Sequence, residues 1–176
     1  MTWCLVGSEM CIRDSFILVV YENYEMMEKG RAIFSSCKDS AYMIKSFQDN
    51  TDTDRSWNWI SENLVAARAW TNNTAFAKYN FNIEPGHESD YMNSWKNFMS
   101  SQLNTFDGSF GLNRIAYGNR YVSHMVYLGA DSMDKLDKGI KSATSSKEFM
   151  DFASDVSSIR QNINCLLYTS DAADEV

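Results

Sequence analysis

The chain has 176 residues, a formal net charge of −7, and 44% hydrophobic and 14% aromatic residues. That is apolar material for one packed domain, which excludes a disordered or collagen-like chain, and the acidity argues against a nucleic-acid partner. The longest uninterrupted apolar run, Phe16 to Tyr21, is far too short to span a membrane, so no membrane association is expected.

The first feature in chain order is a peptide that has a counterpart at the far end. Met10-Cys11-Ile12-Arg13-Asp14 can be written ATG TGT ATA AGA GAC, and Cys165-Leu166-Leu167-Tyr168-Thr169-Ser170 can be written TGT CTC TTA TAC ACA TCT. The second string, reverse-complemented, contains the first in frame. The inverted repeat resembles the transposon end used in tagmentation sequencing adapters. That resemblance implies that residues 1–15 and 165–176 are adapter-derived and should behave as appendages, leaving a natural segment of residues 16–164. Without Arg13 the chain keeps 15 basic residues, and without Glu9, Asp14, Asp171, Asp174 and Glu175 it keeps 18 acidic ones, a net charge of −3. Cys37 is then the sole thiol, which excludes an intramolecular disulfide and a cysteine metal cluster. His87 and His124 fall in different predicted elements, so no metal site is expected.

Phe16 to Tyr21 reads as a buried strand, and Asn23 as the N-cap of a helix carrying Met26, Met27, Ile33 and Phe34. Asp39 or Ser40 caps a second helix with Tyr42, Met43 and Phe47. Gln48 to Arg55 is a polar loop, followed by a short helix through Trp57 and Ile60. Leu64 to Trp70 fits helix or strand on pattern alone. Phe76 to Ile83 alternates apolar and polar residues, the signature of a half-buried strand. Pro85-Gly86 ends it, and Tyr91, Trp95, Phe98, Met99 and Leu103 recur at helical spacing. Phe110 to Tyr117 and Tyr121 to Leu128 are strands around Gly118-Asn119, a dipeptide suited to a tight two-residue hairpin turn. Ser132 caps a helix with Leu136 and Ile140, Thr144-Ser145-Ser146 breaks it, and Phe149 to Ile159 forms the next.

The expected fold class is therefore α+β, an antiparallel sheet with helices on one face built from two incomplete ferredoxin-like repeats. Residues 16–71 form the back half of a first repeat. Residues 72–164 form a second repeat lacking its last strand. The repeat rests on ungapped matches of Val20-Tyr21 with Val126-Tyr127, Met27 with Met133 and Lys29 with Lys135. The strand Phe76 to Ile83, the helix opening Pro85-Gly86-His87-Glu88 with Tyr91 and Trp95, and the late Ser146-Lys147-Glu148-Phe149 helix start resemble the dimeric α+β barrel superfamily of antibiotic-biosynthesis-monooxygenase-like domains. The resemblance implies two sheets, from two subunits of a homo-oligomer or from paired repeats within the chain, closing around a cavity.

Lys78, Asn80 and Asn82 lie on the strand face opposite Tyr79, Phe81 and Ile83, and so point into that cavity. A two-residue turn sets Arg114 opposite Ser123 and Phe110 opposite Tyr127. Asn80, Asn82, Arg114, Ser123 and Tyr127 are therefore the candidate substrate-binding residues, with amides for a carbonyl or phenolate and Arg114 for an anionic group. Asn80 and Asn82 also read as edge residues facing solvent or satisfied by backbone. His124 and Asn80 are the catalytic candidates. A base at His124 competes with a core histidine bonded to Asn113. No cofactor is expected. Haem is the alternative implied by the resemblance, through an Asn–Trp–His set that Asn80, Trp95 and His124 would supply. Trp57, Trp59 and Trp70 read as packing of the first repeat. Two function classes follow: a protein that binds or oxidises a small aromatic molecule in the barrel cavity, or a non-catalytic structural or interaction barrel. Localisation is not legible in the sequence.

Overall fold

The computed structural model describes residues 18–50 and 58–169, and the chain divides into two compact units between Asn58 and Trp59. The first unit is a helical hairpin of α1 (Tyr24–Ser36) and α2 (Lys38–Asn50). Asn23 caps α1 as expected, its side chain accepting from the Met26 amide at 2.9 Å. Ser40 does not cap α2, which already begins at Lys38. Its hydroxyl turns back to the Cys37 carbonyl at 2.6 Å and reaches that of Phe34, closing the end of α1 instead. The expected strand is not formed at residues 18–21, which have no regular secondary structure and are exposed, and Phe16 and Ile17 lie outside the described residues. Among the described residues the unit supplies no neighbouring strand, and a lone strand has no ladder to join.

The second unit is a five-stranded antiparallel sheet under three helices. Its elements in chain order are β1 (Ile60–Ala67), β2 (Ala75–Ile83), α3 (Glu88–Gln102), β3 (Ser109–Tyr117), β4 (His124–Ala130), α4 (Met133–Thr144), α5 (Lys147–Val156) and β5 (Arg160–Thr169). The strand order is β1-β3-β4-β2-β5. From β2 onward this is the ferredoxin-like split βαβ arrangement, with β1 added beside β3. Ile60 opens β1 and is not helical. The ladder with β3, from Ile60↔Tyr117 to Ala67↔Phe110, overrides the local helical spacing. β1 thus belongs to the second unit.

The repeat expected to lack its last strand has one. β5 begins at Arg160 and pairs with β2 from Ile83↔Arg160 to Ala75↔Thr169, with an irregularity at Asn80/Phe81. The Asn162-to-Thr169 stretch forms this ladder because the free edge of β2 accepts an extended partner of almost any sequence.

The core lies between the sheet and the helices. Ala77, Phe81 and Ile83 of β2, Leu112 and Val126 of the hairpin, and Tyr91, Trp95, Phe98, Leu136, Phe152 and Val156 of the helices are buried together. Phe152 stands edge-on to Tyr91 and Trp95 and stacks on Phe98 at 5.3 Å, so α5 is pinned to α3 through one ring. Ser132 and Ser146 cap α4 and α5, accepting from the Lys135 and Phe149 amides. Among the described residues no helix is long and apolar enough to cross a membrane.

Candidate functional site

The β3–β4 connection decides which side chains meet. A tight turn at Gly118-Asn119 pairs Tyr117 with Arg120, but the observed loop runs through residues 118–123. Gly118 takes a positive φ of 90°, and the Asn119 side chain accepts from the amides of Tyr121 at 2.9 Å and Val122 at 3.2 Å. This carboxamide-centred loop is wider than a two-residue turn, and it moves the register by one. Arg114 faces His124, Asn113 faces Met125 and Gly111 faces Tyr127. A one-residue slip exchanges the two faces of a strand.

Arg114 and Phe110 consequently leave the expected constellation. Both share the helix-covered face with Leu112; Phe110 is 2% exposed in the core, and Arg114 forms an ion pair with Glu62 of β1. His124 lies on that same face. It is 3% exposed, stacks on Phe81 at 6.2 Å between centroids, and has Ser123 Oγ, not Asn113, 2.9 Å from its Nδ1. Its Nε2 is buried without a hydrogen-bond partner, and burial pushes its pKa below the usual histidine value. Trp95 Nε1 is likewise buried and unpartnered. Asn80 is on the opposite face of the sheet from Trp95 and His124, so these three residues do not converge on one haem pocket.

The face away from α3, α4 and α5 gathers the remaining candidates. The registers place Phe76, Lys78, Asn80 and Asn82 of β2 there, beside Met125 and Tyr127 of β4, Gly111 and Asn113 of β3, Asn63 of β1, and Asn164 and Leu166 of β5. Four carboxamides fall in one transverse row, Asn63–Asn113–Met125–Asn80–Asn164, interrupted only by the Met125 side chain. Asn80 Nδ2 donates to Asn164 Oδ1 at 2.7 Å, whereas Asn113 Oδ1 is buried without a hydrogen-bond partner. The adjacent row is Leu166–Lys78–Tyr127–Gly111. Lys78 is 7% exposed with its Nζ 4.4 Å from the centre of the Trp59 ring, and burial lowers its pKa to about 8. Tyr127 is raised above the usual tyrosine value by burial.

Asn82 and Ser123 sit at the rim of this face. Asn82 Oδ1 accepts from the Ser123 amide at 2.9 Å, and Ser123 Oγ accepts from the Ile83 amide at 3.0 Å, so both are engaged with backbone. A solvent-open groove of about 340 Å³ touches Asn82, Pro85, Ser158 and Arg160 at this end and does not reach Asn80 or Tyr127. The outer edges of β1 and β5 carry no further strand among the described residues, so the sheet is open and encloses no barrel by itself.

The sequence reading placed Asn80 and Tyr127 on this face and missed Asn113, Met125 and Trp59. The first two were hidden by the register. Trp59 belongs to the second unit and covers Lys78, while Trp70 stands edge-on to Phe76, and Trp57 lies outside the described residues. The alternation of β2 already put Lys78 beside Asn80; its burial was the missing signal.

No protein-family model matches the chain, and no curated protein is significantly similar to it. Solved structures do resemble it. A provisionally named monooxygenase from Fusobacterium nucleatum shares 12% identity over 85% of this chain at a TM-score of 0.58, and the chain spans 64% of that protein's length. A major regulator of staphylococcal pathogenesis shares 17% identity over 68% of this chain and 73% of its own, at a TM-score of 0.46. A dimeric protein of unknown function with a ferredoxin-like fold from Bacteroides fragilis shares 11% identity over 57% of this chain and 99% of its own, at a TM-score of 0.42. At 12% identity the likeness to the Fusobacterium protein shows the α+β fold alone, and function has to be argued from the site.

Proposed function

We propose that the face of the second unit's sheet away from α3, α4 and α5 binds a small aromatic molecule. The observation that carries this reading is the carboxamide row, with the Asn113 oxygen left without a partner beside the apolar, deformable Met125 side chain. Buried polar groups are nearly always paired, and an amide oxygen without a partner is a place for a donor group of a ligand. Met125 and the Tyr127 and Trp59 rings supply aromatic-compatible contacts. Asn80, Asn113 and Lys78 supply a few placed polar groups, the usual composition of a ligand site. Arg114 has no part in this reading, and Asn82 and Ser123 hold the rim of the strand pair.

Catalysis is a further step in the same reading: the Fusobacterium neighbour is named as a monooxygenase, and oxidation of a small aromatic molecule is the first reaction to assay, by oxygen uptake. A second reading is a non-catalytic barrel in which another sheet, from a second copy of the chain or from a further repeat, covers this face. It is favoured by the open edges of β1 and β5. The two readings separate in one experiment. Titration with neutral aromatic amides, followed by the Met125 methyl and Asn113 side-chain NMR signals, should move both signals under the first reading. Under the second, those signals respond to protein concentration and ignore the amides.

A further inference from the structure

Residues 23–47 align with residues 132–156 without a gap, and the two stretches match element for element. Asn23 falls on Ser132, and each side chain caps its helix by accepting from the amide three residues on, those of Met26 and Lys135. Tyr24 opens α1 where Met133 opens α4, and Lys38 opens α2 where Lys147 opens α5. Lys29-Gly30 recurs as Lys138-Gly139, and the ion pair of Glu25 with Lys29 recurs as that of Asp134 with Lys138. Caps, helix starts and ion pair agree on this register, which differs from the one that Val20-Tyr21 and Val126-Tyr127 suggest.

The core positions correspond as well. Leu136, Phe152 and Val156 are buried in the core with Ala77, Phe81, Val126 and Trp95. Met27, Met43 and Phe47 stand in their places, apolar in each case. Yet α1 buries none of its residues, and Met43 is 40% exposed. Glu25, Glu28 and Lys29 take the places of Asp134, Asp137 and Lys138, which are exposed, and so leave the face around Met27 free of charge. Arg31, in the place of the partly buried Ile140, is the exception.

We propose that the α1–α2 hairpin is a docking surface for a strand–helix–hairpin sheet of the same build as β2–α3–β3–β4. The partner's apolar face covers Met27 and Met43 as that sheet covers Leu136 and Phe152. A second copy of this chain does not supply it, because its own α4 and α5 already cover the matching face. Methionines adapt to an irregular apolar surface, and a cation brought into such a contact needs a paired anion. The partner therefore presents a carboxylate opposite Arg31.

The test is a graft within the full chain, with residues 23–47 copied in place of residues 132–156. The grafted chain should keep one cooperative urea transition, read by near-ultraviolet circular dichroism of the aromatic core, at a lower midpoint than the parent. Arg31→Ile within the graft should raise that midpoint, because this sheet offers the cation a site built for Ile140. Met43→Lys within the graft should abolish the transition. Loss of cooperativity in both the plain graft and its Arg31→Ile form overturns the proposal, and so does a graft indifferent to Met43→Lys. Sedimentation of the unsubstituted chain tests the other occupant. Its concentration dependence should be the same with and without Met43→Lys in α2, and self-association that this substitution removes would give the face to a second copy and overturn the assignment.

Discussion

The guanidinium of Arg68 donates to the carbonyl of Phe106 at 2.6 Å, tying the end of β1 to the loop that follows α3. The same group reaches the Leu103 carbonyl and lies 3.6 Å from Asp107. It thereby satisfies carbonyls at the end of α3 that have no partner within the helix. To do so Arg68 adopts a φ of 62°, the left-handed region that disfavours side chains with a Cβ. Arg68→Ala should lose the carbonyl contacts and keep the backbone strain, at a cost of roughly 1–3 kcal/mol. Arg68→Gly should lose the same contacts but recover about 1 kcal/mol of strain, and so unfold at a higher urea concentration than the alanine variant. An alanine variant as stable as the glycine variant would show that the φ carries no strain.

Stability should depend on pH in three windows. His124 is held below the usual value by burial, so the folded chain binds fewer protons than the unfolded one as pH falls through about 6.5, and stability is lost on acidification. Lys78 titrates at about 8 in the folded chain against 10.5 in the unfolded one. Between those values the unfolded chain binds more protons, so stability rises with pH. Buried tyrosines then act in the opposite sense. Tyr91 is pushed up to about 12, so above about pH 10 the unfolded chain sheds a proton that the folded one keeps, and stability falls. Urea midpoints across pH should show the gain from about 8 to about 10, and Lys78→Met should remove it. A gain that persists in that variant would place its source elsewhere.

Removing residues 165–176 tests the closing strand. Cys165 to Thr169 pair with Tyr79 down to Ala75, so the deletion strips half of the β2 ladder on that side and bares the core-facing side of Ala75 and Ala77. Both alanines are buried, and each kcal/mol lost lowers the melting temperature of a domain this size by roughly 2–8 °C. The shortened chain should melt well below the full one and aggregate through the exposed edge. An unchanged melting temperature would mean that this half of β5 contributes nothing, as expected of an appendage.

Much of the fold was legible because it is written in local periodicity. The alternation from Phe76 to Ile83, the spacing of Tyr91, Trp95, Phe98 and Met99, and the serine caps at 132 and 146 each rest on contacts within a few residues. What was illegible depends on partners far along the chain. Ile60 becomes a strand residue because Tyr117 faces it, and Arg160 opens a strand because Ile83 offers an edge. The site suffered most, because its membership turned on one loop. Asn119 folds its carboxamide over two amides, widens the turn, and sends Arg114 to the helix side while bringing Asn113 to the opposite side. Composition around Gly118-Asn119 favours a tight turn equally well, so one residue of register could not be read in advance.

Two glycines of the hairpin region make the last contrast. At Gly108 a Cβ would lie 2.0 Å from the backbone carbonyl oxygen of Gly129, an atom that cannot move without disturbing β4. At Gly111 a Cβ would lie 2.3 Å from the ring of Tyr127, the far end of a side chain that can swing aside. Gly108→Ala should therefore be the more destabilising change, by roughly 1–3 kcal/mol or more, because strand β4 must shift to admit the methyl group. Gly111→Ala should cost less in stability and more at the face away from the helices, since displacing Tyr127 reshapes the surface beside Lys78. Thermal melts of both variants and titrations with the neutral aromatic amides separate the two effects. Weaker amide binding in Gly111→Ala at a nearly unchanged melting temperature is the expected result. A Gly111→Ala variant that melts lower than Gly108→Ala, with its affinity for the amides intact, would mean that Tyr127 is fixed in the fold and takes no part in binding.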